Sequence, residues 1–167
     1  MSYSLHEFCA EVRATLAVSD DRTGREAIRQ KLELLLQDAA FCSTYIKASD
    51  DSGVTQIYQD PEFKFCILTY NMTEPRTSPP HDHGNSWAIY GQAVGETEMT
   101  DWKIVTPPNG DIPGKVKMVR SYRLRPGDAY LYERGDVHAP MREGPTRLIR
   151  IEGQNTEKVT RTPLEAI

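Results

Sequence analysis

Three histidines hold the most specific chemistry in this chain. His81 and His83 stand two apart in Pro79-Pro80-His81-Asp82-His83-Gly84. Side chains alternate faces along extended backbone, so both imidazoles of such a pair leave the same side and can converge on one metal ion. Pro79 and Pro80 are unsuited to a helix interior and bias the residues before them toward extended geometry, while Gly84 lets the chain turn directly after the pair. A His-x-His alone is equally the mark of histidines packed in a core. The third histidine decides for a metal: His138 follows a turn at Arg125-Pro126-Gly127-Asp128, a short strand and a second turn at Glu133-Arg134-Gly135-Asp136. His81, His83 and His138 are therefore the expected ligands. His6 lies on the polar side of a helix and is given no role.

These two blocks resemble the two motifs of the cupin superfamily, whose fold is a double-stranded β-helix. Of the first motif, Gly-x5-His-x-His-x3,4-Glu-x6-Gly, His81, His83 and Gly95 match, with Pro75 at the first glycine and Ala88 at the glutamate. Of the second, Gly-x5-Pro-x-Gly-x2-His-x3-Asn, Gly127, Gly135 and His138 match, with Glu133 for the proline and Arg142 for the asparagine. The agreement covers roughly the last two thirds of the chain. Non-haem iron oxygenases usually supply two histidines and one carboxylate, and Ala88 removes that carboxylate. The three-histidine pattern is similar to that of the thiol dioxygenases, the cysteine and 3-mercaptopropionate dioxygenases. Two leading helices, an aromatic-rich strand before His-Asp-His, Trp87, and the later Glu98-Met99-Thr100-Asp101-Trp102 follow the same order.

The resemblance implies Fe(II) on the three histidines, a substrate chelating through sulfur and a second group, and addition of O2 to the sulfur. It implies as partners O2 and a small anionic molecule that carries a thiol. Zn(II), Ni(II) or Mn(II) remain open as the metal. The family's Ser-x-His-x-Tyr relay is absent; Arg150 and Glu152 occupy its histidine and tyrosine positions, and Ala88 stands where some members carry a cysteine cross-linked to that tyrosine. Gln56 is the nearest match to the residue that holds the substrate carboxylate.

Arg150 and Glu152 have two readings. Beside Ile149 and Ile151 they look like the solvated face of a strand; by the family's register they point into the barrel, where Arg150 could clamp a carboxylate and Glu152 could act as a base or hold Arg150. Trp87 and Tyr90 are either core packing or pocket lining, and Tyr130 and Tyr132, two apart, share a face. Three neutral imidazoles would leave a divalent ion its full charge and favour an anionic ligand. Structural zinc prefers a closed four-ligand site, and no cysteine or fourth histidine is placed to close this one.

The elements that must position these residues follow from periodicity. Residues 4–17 and 25–40 carry apolar residues at helical spacing, Leu5, Phe8, Cys9, Val12 and Leu16 in the first and Ile28, Leu32, Leu35, Leu36, Ala39 and Ala40 in the second. From residue 43 onward short runs of β-branched and aromatic residues alternate between Gly/Pro turns, including Val54–Gln59, Phe63–Tyr70, Lys115–Leu124, Arg147–Glu152 and Lys158–Arg161. Such strands indicate an all-β barrel or sandwich; with the resemblance, the expectation is one all-β domain over residues 1–167, a double-stranded β-helix (43–167) with two N-terminal α-helices packed on it as a cap (1–42). Hydrophobic residues make up 38% and charged residues 26%, as in a soluble globular chain, and a net charge of −4 without a basic run points away from nucleic acid and anionic membranes. The N-terminus lacks the pattern of a secretory signal, and Cys9, Cys42 and Cys66 read as reduced thiols, so the expected location is cytoplasmic. A non-redox metal enzyme (a lyase, isomerase or hydrolase) and a ligand-sensing module are the competing functions.

Overall fold

The computed structural model describes residues 3–167, the side chain of Glu157 excepted. Helix α1 (Leu5–Val18) starts in a capping box: the Glu7 N–H donates to the Ser4 hydroxyl at 3.2 Å and the Ser4 N–H donates to the Glu7 carboxylate at 2.8 Å. It buries Phe8, Cys9, Val12 and Leu16. Helix α2 (Arg22–Leu36) is capped by Asp21 and buries Ile28, Leu32, Leu35 and Leu36. The expected second helix thus ends earlier, and a third, α3 (Ala39–Tyr45), follows. Asp38 is the reason. Its carboxylate accepts the Phe41 N–H at 2.8 Å and so starts a new helix, leaving Ala39 and Ala40 exposed.

Among the described residues ten strands follow: β1 (Gly53–Gln59), β2 (Cys66–Met72), β3 (Arg76–Thr77), β4 (Ala88–Val94), β5 (Thr97–Thr106), β6 (Gly114–Leu124), β7 (Ala129–Tyr132), β8 (Val137–Arg142), β9 (Thr146–Glu152) and β10 (Leu164–Ala166). They form two five-stranded sheets, in the orders β1-β2-β9-β4-β7 and β10-β6-β5-β8-β3. This two-sheet, mostly β architecture fits a double-stranded β-helix. The expected strand at Lys158–Arg161 is absent. Thr156–Lys158 form a 3-10 turn, and the last strand, β10, starts at Leu164, beyond the expected segment, and pairs in parallel with β6. The Thr162 N–H is taken by the Asp82 carboxylate at 3.0 Å, which removes it from any ladder.

The first sheet is covered on both faces, and alternation sorts its residues. Phe65, Ile67, Trp87, Ile89, Ile149 and Ile151 join one apolar cluster with Phe8, Ile28, Leu32 and Leu35 of the helices. Ala88, Tyr90, Tyr132 and Leu148 point the other way and pack with Met99 and Leu124 of the second sheet. The site lies on that inner face. Cys9 and Cys66 are buried and Cys42 half-buried, and none of the three is in a disulfide among the described residues. Among the described residues no helix is long and apolar enough to cross a membrane.

Gly153 fixes one corner of this packing. A methyl group there would meet the Trp87 indole at 2.6–2.9 Å, and the Gly153 N–H donates to the Trp87 carbonyl at 3.0 Å. The rigid ring cannot yield as a Leu tip would, so Gly153→Ala should destabilise the fold by about 1–3 kcal/mol. Urea denaturation would measure it, and an unchanged midpoint would refute the crowding argument.

Candidate metal centre

The His-x-His segment is less regular than its sequence suggests. It forms no strand; only His81 pairs, in an isolated antiparallel bridge with His138 at the start of β8. That bridge is reciprocal, each N–H donating to the other's carbonyl at 3.0 Å. Residues paired this way present side chains to the same face, and the two imidazole centroids lie 4.7 Å apart. His83 follows on the same side, its centroid 4.7 Å from His138 and 5.7 Å from His81. Asp82, between them, points away and is fastened to the last part of the chain. Its carboxylate accepts the N–H groups of Thr162 at 3.0 Å and Gly84 at 3.2 Å, and the Thr162 hydroxyl as well. Gly84 has φ +55°, and a Cβ there would sit 2.5 Å from the Thr160 carbonyl oxygen, so the turn has room only for glycine.

One nitrogen from each imidazole lies within 4.8 Å of the others, all three residues being buried. Imidazole–metal bonds of about 2.0–2.1 Å set neighbouring ligand nitrogens roughly 3.3 Å apart in a tetrahedral site, so the side chains would close by up to about 1.5 Å around an ion. Nδ1 of His81 lies 2.9 Å from the Pro79 carbonyl oxygen and Nδ1 of His138 lies 3.3 Å from that of Asp136. Each can donate its Nδ1 proton there, which leaves Nε2 free as a ligand atom. Nδ1 of His83 is buried with no partner among the described residues. The donor set and this orphaned nitrogen both fit a divalent ion held by His81, His83 and His138.

Burial keeps the three imidazoles neutral, the form a metal needs. It pushes His81 down to about 4, against a weaker opposing pull from the Pro79 carbonyl, and it holds His83 and His138 further below the ordinary range, with the neighbouring histidine adding to each. The unfolded chain, with ordinary histidines near 6.5, therefore takes up protons first as pH falls. Stability from these groups is complete above about pH 6.5 and is lost on descending toward pH 4. The metal-free protein should show a falling denaturation midpoint between pH 7 and pH 5. A variant with all three histidines changed to asparagine should be flat there; equal slopes would contradict this.

The other expected residues divide. Tyr90 stands at the centre: its hydroxyl is 3.1 Å from His83 Nε2 and 3.4 Å from His138 Nε2, and burial raises its pKa, keeping it a neutral phenol. Arg150 and Glu152 are inside the barrel, not on a solvated face, at 8% and 1% exposure. They form an ion pair; Glu152 also accepts the Thr156 N–H at 2.8 Å and its hydroxyl at 3.1 Å, while Arg150 donates to that hydroxyl at 3.0 Å. The Arg150 guanidinium lies over the rings of Tyr70 and Tyr90, at 5.0 and 4.6 Å. Each sequence reading of this strand holds in part, since Ile149 and Ile151 do face a core, the one under the helices.

Trp87 belongs to that helix-side core with the Arg25 guanidinium over its ring, which bears out the core-packing reading and corrects the substrate-binding one: residues 87 and 89 alternate with 88 and 90. Gln56 is exposed on the edge strand β1, opposite Leu68. Tyr132 stacks on His138 at a centroid distance of 3.9 Å, but its hydroxyl bonds that of Tyr122 at 2.6 Å. Ala88 is directly opposite Glu152 across β4 and β9.

Beside His81 and Tyr90 opens a cleft of about 120 Å³ lined by Arg76, Arg142, Arg150 and Arg161. Sequence reasoning marks Arg142 only as a departure from a motif. Its distance of four from His138 along a strand was the signal that both share a face. Arg76, Arg161 and Thr156 gave no comparable signal.

No protein-family model and no curated protein matches the chain. Solved structures do resemble it. A protein with a double-stranded β-helix domain from Klebsiella pneumoniae is 15% identical, with 73% of this chain and 87% of that chain covered at a TM-score of 0.48. A cupin superfamily protein from Desulfitobacterium hafniense is 12% identical, with 62% and 77% covered at a TM-score of 0.44. An oxalate oxidase solved with the substrate analogue glycolate is 18% identical, with 70% and 59% covered at a TM-score of 0.47.

Proposed function

We propose that this chain is a metal-dependent enzyme of the thiol dioxygenase type, adding O2 to a small anionic thiol at an ion held by His81, His83 and His138. The observation that carries the proposal is the convergence of three neutral imidazoles beside a cleft lined by four arginines. Fe(II) bound there would supply open positions for a thiolate and for oxygen, and three uncharged ligands would leave it the charge that attracts a thiolate. The protein's own part is positioning. Arg150 is held by Glu152 and Thr156 while its Nε has no partner among the described residues, so it can meet a substrate carboxylate. The Tyr90 hydroxyl, in reach of two of the imidazoles, can donate a hydrogen bond to a ligand bound between them. Leu148 and Met72 form an apolar part of the same cleft's lining. The reduced cysteines suit a reducing compartment, and we place the protein in the cytoplasm.

A second reading has one observation in its favour. The relay positions of the thiol dioxygenases hold a closed ion pair, Arg150 with Glu152, which suits a non-redox lyase, isomerase or hydrolase using the metal as a Lewis acid. Metal analysis together with oxygen uptake on a panel of small thiols separates the two. Oxygen consumed in step with thiol loss supports the dioxygenase; a stoichiometric metal with no uptake on any thiol rejects it.

A further inference from the structure

Arg142 is out of keeping with how this chain treats its other buried arginines. Arg25 is 5% exposed and paired with Asp20 and Glu133; Arg150 is 8% exposed and paired with Glu152. Arg142 is 4% exposed, and no carboxylate or other acceptor among the described residues bonds it; its Nε is buried and unpartnered. An isolated charge removed from water is strongly unfavourable. The neighbourhood makes matters worse, because Arg76 is its direct cross-strand partner between β3 and β8, so two like charges face each other on one side of the sheet. Burial, with Arg150 and Arg76 adding, pulls the Arg142 pKa down to about 10, and it stays charged at neutral pH. Acidic residues are not scarce: the chain has 24 against 20 basic ones, yet none lines this cleft among the described residues.

We infer that Arg142, with Arg76 opposite it, forms a second anion subsite, and that the cleft takes a substrate with two anionic groups, one at Arg150 and one at Arg142. The inference rests on the proposed function in placing the substrate in this cleft, but it needs neither iron nor sulfur. Two guanidinium groups reached from different sheets, Arg150 on β9 and Arg142 on β8, would read a short dicarboxylate end to end.

Succinate and butyrate, of equal carbon count, test this by calorimetric titration into the metal-loaded protein. Succinate should bind about 10- to 100-fold more tightly, the worth of a charge-assisted, two-pronged contact. Arg142→Met should erase the preference while leaving butyrate within about twofold and metal content unchanged. Arg142→Gln serves if the methionine variant does not fold. Equal binding of the two acids by the unaltered protein, or equal weakening of both in the variant, would overturn the inference. The outcomes separate from those for the activity: a protein that prefers succinate but consumes no oxygen with any thiol loses the dioxygenase reading and keeps the subsite, and one that oxidises thiols without the preference does the reverse.

Discussion

His83→Ala should lose its metal and keep its fold. Purified in metal-containing medium, the unaltered protein should carry one ion per chain and the variant close to none. Apparent binding energies of about 10–16 kcal/mol for four-ligand zinc sites amount to roughly 3 kcal/mol per ligand, or about two decades of affinity for one imidazole. The barrel has no comparable stake in this side chain. His83 lies on an irregular segment fixed by its neighbours, Asp82 to Thr162 and Gly84 against Thr160, and its own Nδ1 bonds nothing among the described residues. Elemental analysis together with circular dichroism reads both halves, and full metal retention in a folded variant would remove these histidines as the site.

Arg150→Met should cost the fold more than any change at the three histidines. It would strand Glu152, which is 1% exposed and would keep the Thr156 N–H and hydroxyl as partners but no cation. Breaking a buried pair from one side is worth about 3–5 kcal/mol, and at about 2–4 °C per kcal/mol for a chain of this size the midpoint should fall by roughly 6–20 °C. The double variant Arg150→Met/Glu152→Leu should recover most of that loss, because it removes both charges together. Calorimetry would show it. A shift under about 2 °C in the single variant would mean that the pair is solvated, as an exposed strand face would allow.

The histidine cluster is legible in the sequence because a two-residue spacing, and a third histidine placed by two turns, bring His81, His83 and His138 to one point. Most strands are legible from alternation, but element boundaries are not where a side chain captures a backbone donor: Asp38 does so at Phe41, starting a third helix, and Asp82 at Thr162, just after a segment expected to be a strand. Which face of a strand is polar by design is not legible. Arg150 and Glu152 alternate with Ile149 and Ile151, a pattern that an edge strand over water and a central strand over a polar cavity share. Only the position of β9 between β2 and β4 separates the two cases. The two readings of Trp87 are not separable in the sequence for a related reason: proximity in sequence to His83 says nothing about parity, and one residue of offset sends a ring to the opposite side of the sheet. Arg142 and Arg76 meet through a strand pairing that no local pattern encodes.

The tie between Asp82 and Thr162 sets an order of events during synthesis. The two residues are 80 positions apart, and that distance is crossed by a loop closure before the His81–His83 segment is pinned. At about 5–20 residues per second, roughly 4–16 s separate their appearance on a ribosome. His138 also follows late, since its bridge to His81 spans β4 to β7. The nascent chain therefore exposes two unanchored imidazoles for seconds before the ion-binding geometry exists. A version ending before Thr162, which also lacks β10, should show the effect as slower and weaker metal uptake with β1 to β9 already formed. An ion bound by the three histidines would therefore be selected by the assembled cluster and not by the growing chain.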